Sequence, residues 1–206
     1  MITIWGRHNS NNVKKALWAA YELGLDFESK IVGGPYGGTH TPEYLAMNPM
    51  AQIPTLVDDD FVLCESNAIV RYMYAQYSAE YREMKPKDKA VGDRWMDWCS
   101  SSFAPVYRDV FWPIVREKEE NRNWDSINKA KDKCEELLRI PEQWLETHDW
   151  FSGDEFGAGD IPLGCFLYGW FEMDIERKQK TPNLEKWYAR LKARPTYQRG
   201  VMVPLT

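Results

Sequence analysis

The chain uses two hydrophobic periods up to about residue 78 and one thereafter. Residues 2–5 are short and β-favouring. Val13, Ala16, Leu17 and Ala20 then fall at i, i+3, i+4, i+7, which predicts a helix that Gly24 stops. The stretch "FESKIV" at 27–32 alternates as a strand does. "GGPYGG" at 33–38 lacks the GxGxxG spacing and precedes no long helix, so it reads as a loop and not as a nucleotide cradle. "TPEYLAMNP" at 41–49 predicts a short helix capped by Thr41, with Pro42 in its first turn and Asn48-Pro49 at its end. Strands at 55–57 and 61–64 flank the turn "DDD" at 58–60. A helix follows at about 66–77, with Ala68, Ile69, Tyr72 and Met73 on one face. The order β-α-β-α-β-β-α predicts an α/β sandwich.

Beyond "SAEYREMKPKDK" at 78–89, a polar stretch with linker character, no strand pattern recurs. Long helices are expected at about 89–120, 125–147, 160–173 and 183–193, kinked or broken at Pro105, Pro113 and Pro141. The expected organisation is an α/β domain over 1–78, a linker over 79–88 and an all-helical domain over 89–206.

Composition narrows the function classes. At 206 residues, 44% apolar and 28% charged, the chain can bury a sizeable core. A net charge of −5 lacks the basic excess that nucleic-acid binding requires. Cys64, Cys99, Cys134 and Cys165 stand far apart, with no CxxC pair or Cys/His cluster, so no metal site is expected. Such sparse thiols fit a reducing, cytoplasmic setting. "MITIWGR" does not read as a signal peptide. The apolar run at 161–171, "IPLGCFLYGWF", is too short to span a membrane, so no membrane partner is expected.

Three local features carry chemistry. Pro54 opens a strand, where it removes one ladder donor. An Ile53-Pro54 bond in the cis form would turn the Ile53 amide and carbonyl outward to pair with an extended peptide, and an ordinary trans edge proline is the alternative. Ser66 stands where a strand becomes a helix, the place of a cap. Helix-start amides also attract anions, so Ser66 suits a ligand carboxylate and Glu65 beside it suits an ammonium. Together they suit an amino-acid end. The turn "GRHNSNNVKK" at 6–15 offers Ser10, Asn11 and Asn12 as caps where one suffices. Lys14 and Lys15 sit near that helix start, where cations oppose the dipole: either a tolerated surface cost or a feature that favours an anionic ligand.

These residues resemble a known family. "GRHNSNNVKKALWAAYELGLDFE", "TPEYLAMNPMAQIPTLVDDDFVLCESNAIVRYM" and "GDEFGAGDIPLGCFLYGWFE" together look like a cytosolic glutathione transferase of bacterial, serine type, near the theta and zeta classes. The resemblance covers essentially the whole chain. It implies a thioredoxin-like N-terminal domain, an all-α C-terminal domain, a homodimer, a role in detoxification, and glutathione as cosubstrate with no cofactor. It implies that Pro54 is cis, that Ile53 pairs with the cysteinyl backbone of glutathione, and that Glu65 and Ser66 hold its γ-glutamyl end. Gln52 and His40 become further glutathione contacts. Ser10 becomes the hydroxyl that donates to the thiolate, with Asn12 able to share the role. A free thiol has a pKa of about 8.5, which a helix start and donors lower.

The family's second substrate, a hydrophobic electrophile, lies between the domains. The resemblance makes Trp98, Ser102, Phe103, Tyr107, Phe111 and Trp170 its candidate wall. For any one of them, helical core is the plainer role. Two other readings are a glutathione-dependent isomerase or dehalogenase, and a non-catalytic carrier or interaction module. "NSNNVKKALW" lacks the zeta-type Ser-Ser-Cys triplet, which weighs against the isomerase. "GAGD" at 157–160 puts Gly157 where the family has a Ser or Thr cap before Asp160.

Overall fold

The structure, a computed structural model, describes residues 1–206. The elements run β1 (Ile2–Trp5), α1 (Asn11–Glu22), β2 (Phe27–Lys30), a 3-10 turn (Gly34–Tyr36), α2 (Pro42–Met47), β3 (Thr55–Asp58), β4 (Phe61–Cys64) and α3 (Ser66–Tyr77). A four-stranded sheet has the order β2-β1-β3-β4, with β1 and β2 parallel and the other pairs antiparallel. This is the mixed sheet of a parallel crossover closed by a hairpin. The hairpin turn is tighter than the sequence suggested. Asp58 belongs to β3, and Asp59 and Asp60 make the connection, Asp59 with φ 52°. Asp tolerates the left-handed conformation better than most residues.

The remaining elements are α4 (Ala79–Glu83), α5 (Pro86–Trp98), a π-helical turn (Cys99–Phe103), α6 (Ala104–Arg116), a 3-10 turn (Glu119–Asn121), α7 (Trp124–Trp144), α8 (Asp160–Glu172), α9 (Pro182–Lys192) and α10 (Pro195–Gly200). No helix is long and apolar enough to cross a membrane. The chain divides into two compact units, Met1–Met84 with Pro195–Val203, and Lys85–Arg194 with Pro204–Thr206. The expected linker at 79–88 is therefore mostly helical, and α10 belongs to the first unit. There Gly200 meets the Trp18 backbone closely enough that a Cβ would lie 2.9 Å from Trp18 Cα, and Tyr197 packs edge-on to Trp18 at 4.8 Å.

In the first unit α1 is buried all round from Val13 to Ala20, beyond the apolar stripe that its periodicity outlined. In α3 the buried face is Ile69, Val70, Met73 and Tyr74. Ala68 and Tyr72, expected on that face, are half-buried at its margin.

The second unit is built around α8, which is buried from Asp160 to Trp170. Gly159 lets α8 meet α5: a Cβ there would sit 2.5 Å from Gly92 Cα. Of the three prolines expected to kink or break helices, Pro105 follows an interruption of the α register. α6 and α7 run through Pro113 and Pro141 without a break. Pro141 is buried, as is Leu138 one turn earlier, and burial of this face offsets the cost of the missing amide, about 3 kcal/mol. Before Pro105 the helix slips into the π register, with the Ala104 amide reaching back to Cys99 O. The slip removes the clash of a proline ring with the carbonyl four residues earlier.

Asp160 holds the start of α8. It is fully buried, and its carboxylate accepts from the Phe151 amide (2.8 Å), the Ser152 amide (3.2 Å), the Gly157 amide (3.1 Å) and Trp187 Nε1 (2.9 Å). Burial pushes its pKa up, and these donors pull it back. The N-cap of α8 is Gly159, not Gly157 as expected, because the helix starts at Asp160; Gly157 has a steric reason of its own. A Cβ on Gly157 would lie 2.8 Å from Ser152 Oγ, the atom that accepts from the Gly159 amide.

Candidate functional site

The strand register gathers the candidate residues at one end of the sheet. Trp5, the last residue of β1, pairs with Thr55, the first of β3, and Thr55 pairs with Cys64, the last of β4. The segments that leave this end are the β1–α1 turn with Ser10, the Ile53-Pro54 pair that leads into β3, and Glu65-Ser66 after β4.

Ser10 is the N-cap of α1, extended at φ −83° and ψ 125°. Its carbonyl accepts from the Lys14 amide at 2.9 Å and its amide donates to Arg7 O at 3.1 Å. Its hydroxyl makes no capping bond. An unengaged hydroxyl beside free first-turn amides is suited to an anion. Arg7, three residues earlier, packs against Gly34 and donates to Asn9 Oδ1 at 2.7 Å, and burial lowers its pKa.

The Ile53-Pro54 bond is cis. Ile53 lies outside the ladder, which starts at Thr55. Its side chain is held against glycines: a Cβ on Gly33 would fall 2.9 Å from Ile53 Cδ1 and one on Gly6 3.3 Å from Ile53 Cβ. The preceding carbonyl, of Gln52, is tied down by Tyr44 Oη (2.6 Å) and Asn48 Nδ2 (2.9 Å). Asn48 Nδ2 also donates to Thr55 Oγ1 at 3.0 Å, and the Thr55 hydroxyl donates in turn to Tyr44 Oη at 2.8 Å. Burial raises the Tyr44 pKa, so its hydroxyl stays a donor. The Gln52 side chain is exposed, and so is His40, in the segment before α2.

The strand-to-helix junction differs from the expectation in one respect. Glu65, not Ser66, is the N-cap of α3, and it has φ 72° and ψ 109°. A positive φ is costly for a residue with a Cβ and marks a position held by its surroundings. Ser66 is the first helical residue and is 7% exposed. Its hydroxyl donates to Asn12 Oδ1 at 3.3 Å and accepts from Lys15 Nζ at 3.2 Å. Lys15 Nζ also donates to Asn67 Oδ1 at 3.1 Å. Asn12 thus meets Ser66. Lys15 and Asn67 are drawn to this junction by contacts that the sequence did not assign. The signal for Lys15 was a cation near a helix start; Asn67 gave none.

The aromatic set does not form a single wall. Phe103, Tyr107 and Phe111 stack at 5.6 and 5.4 Å along the helix, and Tyr107 meets Phe166 edge-on at 5.4 Å. Phe103, Tyr107, Phe111 and Trp170 are at most 6% exposed and belong to the buried part of the second unit. Trp98 and Ser102 keep exposed surface. Trp98 lines a groove of about 680 Å³ with Arg94, Trp95, Ile140, Trp144 and His148. Ser102 lies in the π-helical turn.

Comparison with known proteins gives one family. The family model "Glutathione S-transferase, N-terminal domain" matches residues 5–81, and "Glutathione S-transferase, C-terminal domain" matches residues 103–195. Glutathione S-transferase GstB of Escherichia coli (strain K12) is 39% identical over 209 residues, covering 100% of each chain. The crystal structure of the theta class glutathione S-transferase from Xanthomonas axonopodis pv. citri with glutathione bound is 53% identical, covers 100% of this chain and 99% of that one, and gives a TM-score of 0.96. Glutathione transferase F7 from Populus trichocarpa, 22% identical with 98% of each chain covered and a TM-score of 0.88, shares the fold. The chain therefore belongs to the glutathione S-transferase family and is a glutathione transferase of bacterial type.

Proposed function

We propose that this enzyme binds glutathione across the sheet end that Ser10, Ile53 and Glu65-Ser66 share, and activates its thiol there. The γ-glutamyl ammonium pairs with Glu65, and its α-carboxylate takes the Ser66 amide and hydroxyl. The cysteinyl backbone pairs with the free edge of Ile53, as an added strand does. Gln52 and His40, both exposed, are the contacts for the glycyl end. The thiolate lies at the start of α1, where free amides and the Ser10 hydroxyl lower its pKa. A serine hydroxyl is too weak an acid to serve as a base here. It donates a charge-assisted hydrogen bond, and positioning does the rest. The observation that supports this reading best is the register that sets Trp5, Thr55 and Cys64 side by side.

The second substrate in this reading is a small apolar electrophile, with Ser102 and Trp98 as the contacts to test first. The enzyme works as a cytoplasmic homodimer that detoxifies such compounds. Calorimetry with glutathione and with its Cys-Gly dipeptide tests the clamp: removing the γ-glutamyl group should abolish most of the affinity, and equal binding would sink it. Sedimentation at micromolar concentration tests the dimer against a species of 24.2 kDa.

A further inference from the structure

Lys14 and Lys15 are both only 1% exposed. This removes the reading of the pair as a tolerated surface cost, because a buried ammonium loses its hydration. Lys15 reaches across from α1 to the first turn of α3, to Ser66 Oγ and Asn67 Oδ1. That end of α3 already carries the positive pole of its helix dipole. A cation placed there works against the isolated helix. It works in favour of an anion at the same place.

The hydroxyl geometry says how. Ser66 Oγ has one hydrogen and two lone pairs. Lys15 occupies one lone pair, at 3.2 Å. The hydrogen points to Asn12 Oδ1 at 3.3 Å, a long and therefore weak bond. An ammonium donating into a hydroxyl oxygen polarises the O–H and strengthens it as a donor. The hydroxyl is thus primed to turn its hydrogen from a weak neutral acceptor to a charged one.

We propose that Lys15 is a positioning residue for the γ-glutamyl α-carboxylate of glutathione, acting through Ser66 and through its own charge, with Asn67 holding the ammonium in place. This rests on the reading that Glu65-Ser66 receives the amino-acid end. It adds that the carboxylate is met by a buried full charge as well as by a helix end and a hydroxyl.

The test crosses protein charge with ligand charge. The ligands are glutathione and the derivative whose γ-glutamyl α-carboxylate is a carboxamide. The proteins are the wild type, Lys15→Gln and Lys15→Met, with binding followed by calorimetry. The wild type should prefer glutathione by about tenfold or more, the worth of a charge-assisted bond. In both variants that preference should fall to within about threefold, while the carboxamide binds all three proteins alike. If a variant weakens both ligands by the same factor, Lys15 only supports the fold, and the proposal fails. It also fails if the preference survives in the variants. A wild type with no preference overturns the placement of the amino-acid end itself, which separates that failure from this one. Should the variants not fold, the wild type labelled with ¹³C-lysine gives the answer. The Lys15 Cε resonance should move on adding glutathione and stay still with the carboxamide, and a resonance unmoved by both refutes the proposal.

Discussion

Ser10 occupies a capping position without doing the work of a cap, and this separates two roles that usually coincide. Replacing an N-cap serine by alanine costs roughly 0.5–2 kcal/mol in an ordinary helix, because its oxygen accepts from an N2 or N3 amide. Here no such bond exists. Ser10→Ala should therefore cost less than about 0.5 kcal/mol, a melting shift of no more than about 2 °C for a chain of this size. The catalytic cost should be much larger. A hydrogen bond to a charged group is worth roughly 1.5–3 kcal/mol, so losing it should raise the thiol pKa of bound glutathione by about one to two units. At neutral pH that is about a 10- to 150-fold slower conjugation by transition-state arithmetic.

The assay is thiolate absorbance against pH for the wild type, Ser10→Ala and Asn12→Ala, each with saturating glutathione, alongside thermal melts. Asn12 is the control: its Oδ1 faces Ser66, which places it toward the γ-glutamyl end in our reading. Asn12→Ala should weaken glutathione binding modestly and leave the thiol titration near that of the wild type. The reasoning is refuted if Ser10→Ala loses about 1 kcal/mol of stability, as an ordinary cap would, and titrates like the wild type. An Asn12→Ala variant that alone shifts the titration would move the thiolate donor to Asn12.

Three further outcomes follow from the structure. Glu65→Gly should hold or raise stability, by up to about 1 kcal/mol, because glycine carries φ 72° without strain, while glutathione affinity drops; melts and calorimetry on one preparation check both halves, and unchanged affinity would remove Glu65 from the clamp. Asp160→Asn should cost about 3–6 kcal/mol in urea unfolding, because one carboxylate oxygen, with its two charge-assisted bonds at roughly 1.5–3 kcal/mol each, becomes an amide facing N–H donors; a loss below about 1 kcal/mol would show that the network contributes little. Tyr72 donates to Asp58, and burial with that bond pushes its pKa up to about 12, while the bond Tyr77 makes to the same carboxylate and burial raise its pKa as well. Because these folded values exceed the unfolded one, their stabilisation is complete below about pH 10 and is lost as pH rises toward 12, so Asp58→Asn should let two of the eleven tyrosines titrate earlier by ultraviolet absorbance.

The legible part of the site was the part whose chemistry is local. A proline at a strand start, an acid and a serine at a strand-to-helix junction, and redundant caps in one turn are all visible within a few residues. What escaped was set by backbone conformation and packing that residue type does not announce. Ser66 looked like the cap because serine is a good one, whereas the backbone places that position at Glu65 in a conformation for which glutamate gives no signal. Lys14 and Lys15 were open between a tolerated surface cost and a feature that favours an anion; both are buried, and Lys15 reaches α3, far along the chain. Gly157 looked like a missing cap, whereas the cap falls at Gly159 and Ser152 occupies the space a side chain on Gly157 would need. Pro141 looked like a kink or a break, and α7 runs on through it with its ring buried.

Two buried charges in this protein show how such departures sort into structure and function. Asp160 is sealed, and four donors converge on its two oxygens, so its charge is answered by groups already in the fold. Nothing about it calls for a ligand, and its removal should be felt in stability. Lys15 donates to Ser66 and Asn67 at a helix pole of its own sign. The same sheet end holds Glu65 in a costly conformation and Ser10 with an idle hydroxyl. Each of these departs from what folding alone favours, and sites that break local rules together are where function is found. A ligand with an ammonium, a carboxylate and a thiolate in the order glutathione has them answers all three at once. A core defect would be relieved by repacking. In the proposed reading these positions are relieved by binding, which is why the cross of Lys15 variants with carboxamide glutathione discriminates where a stability measurement alone cannot.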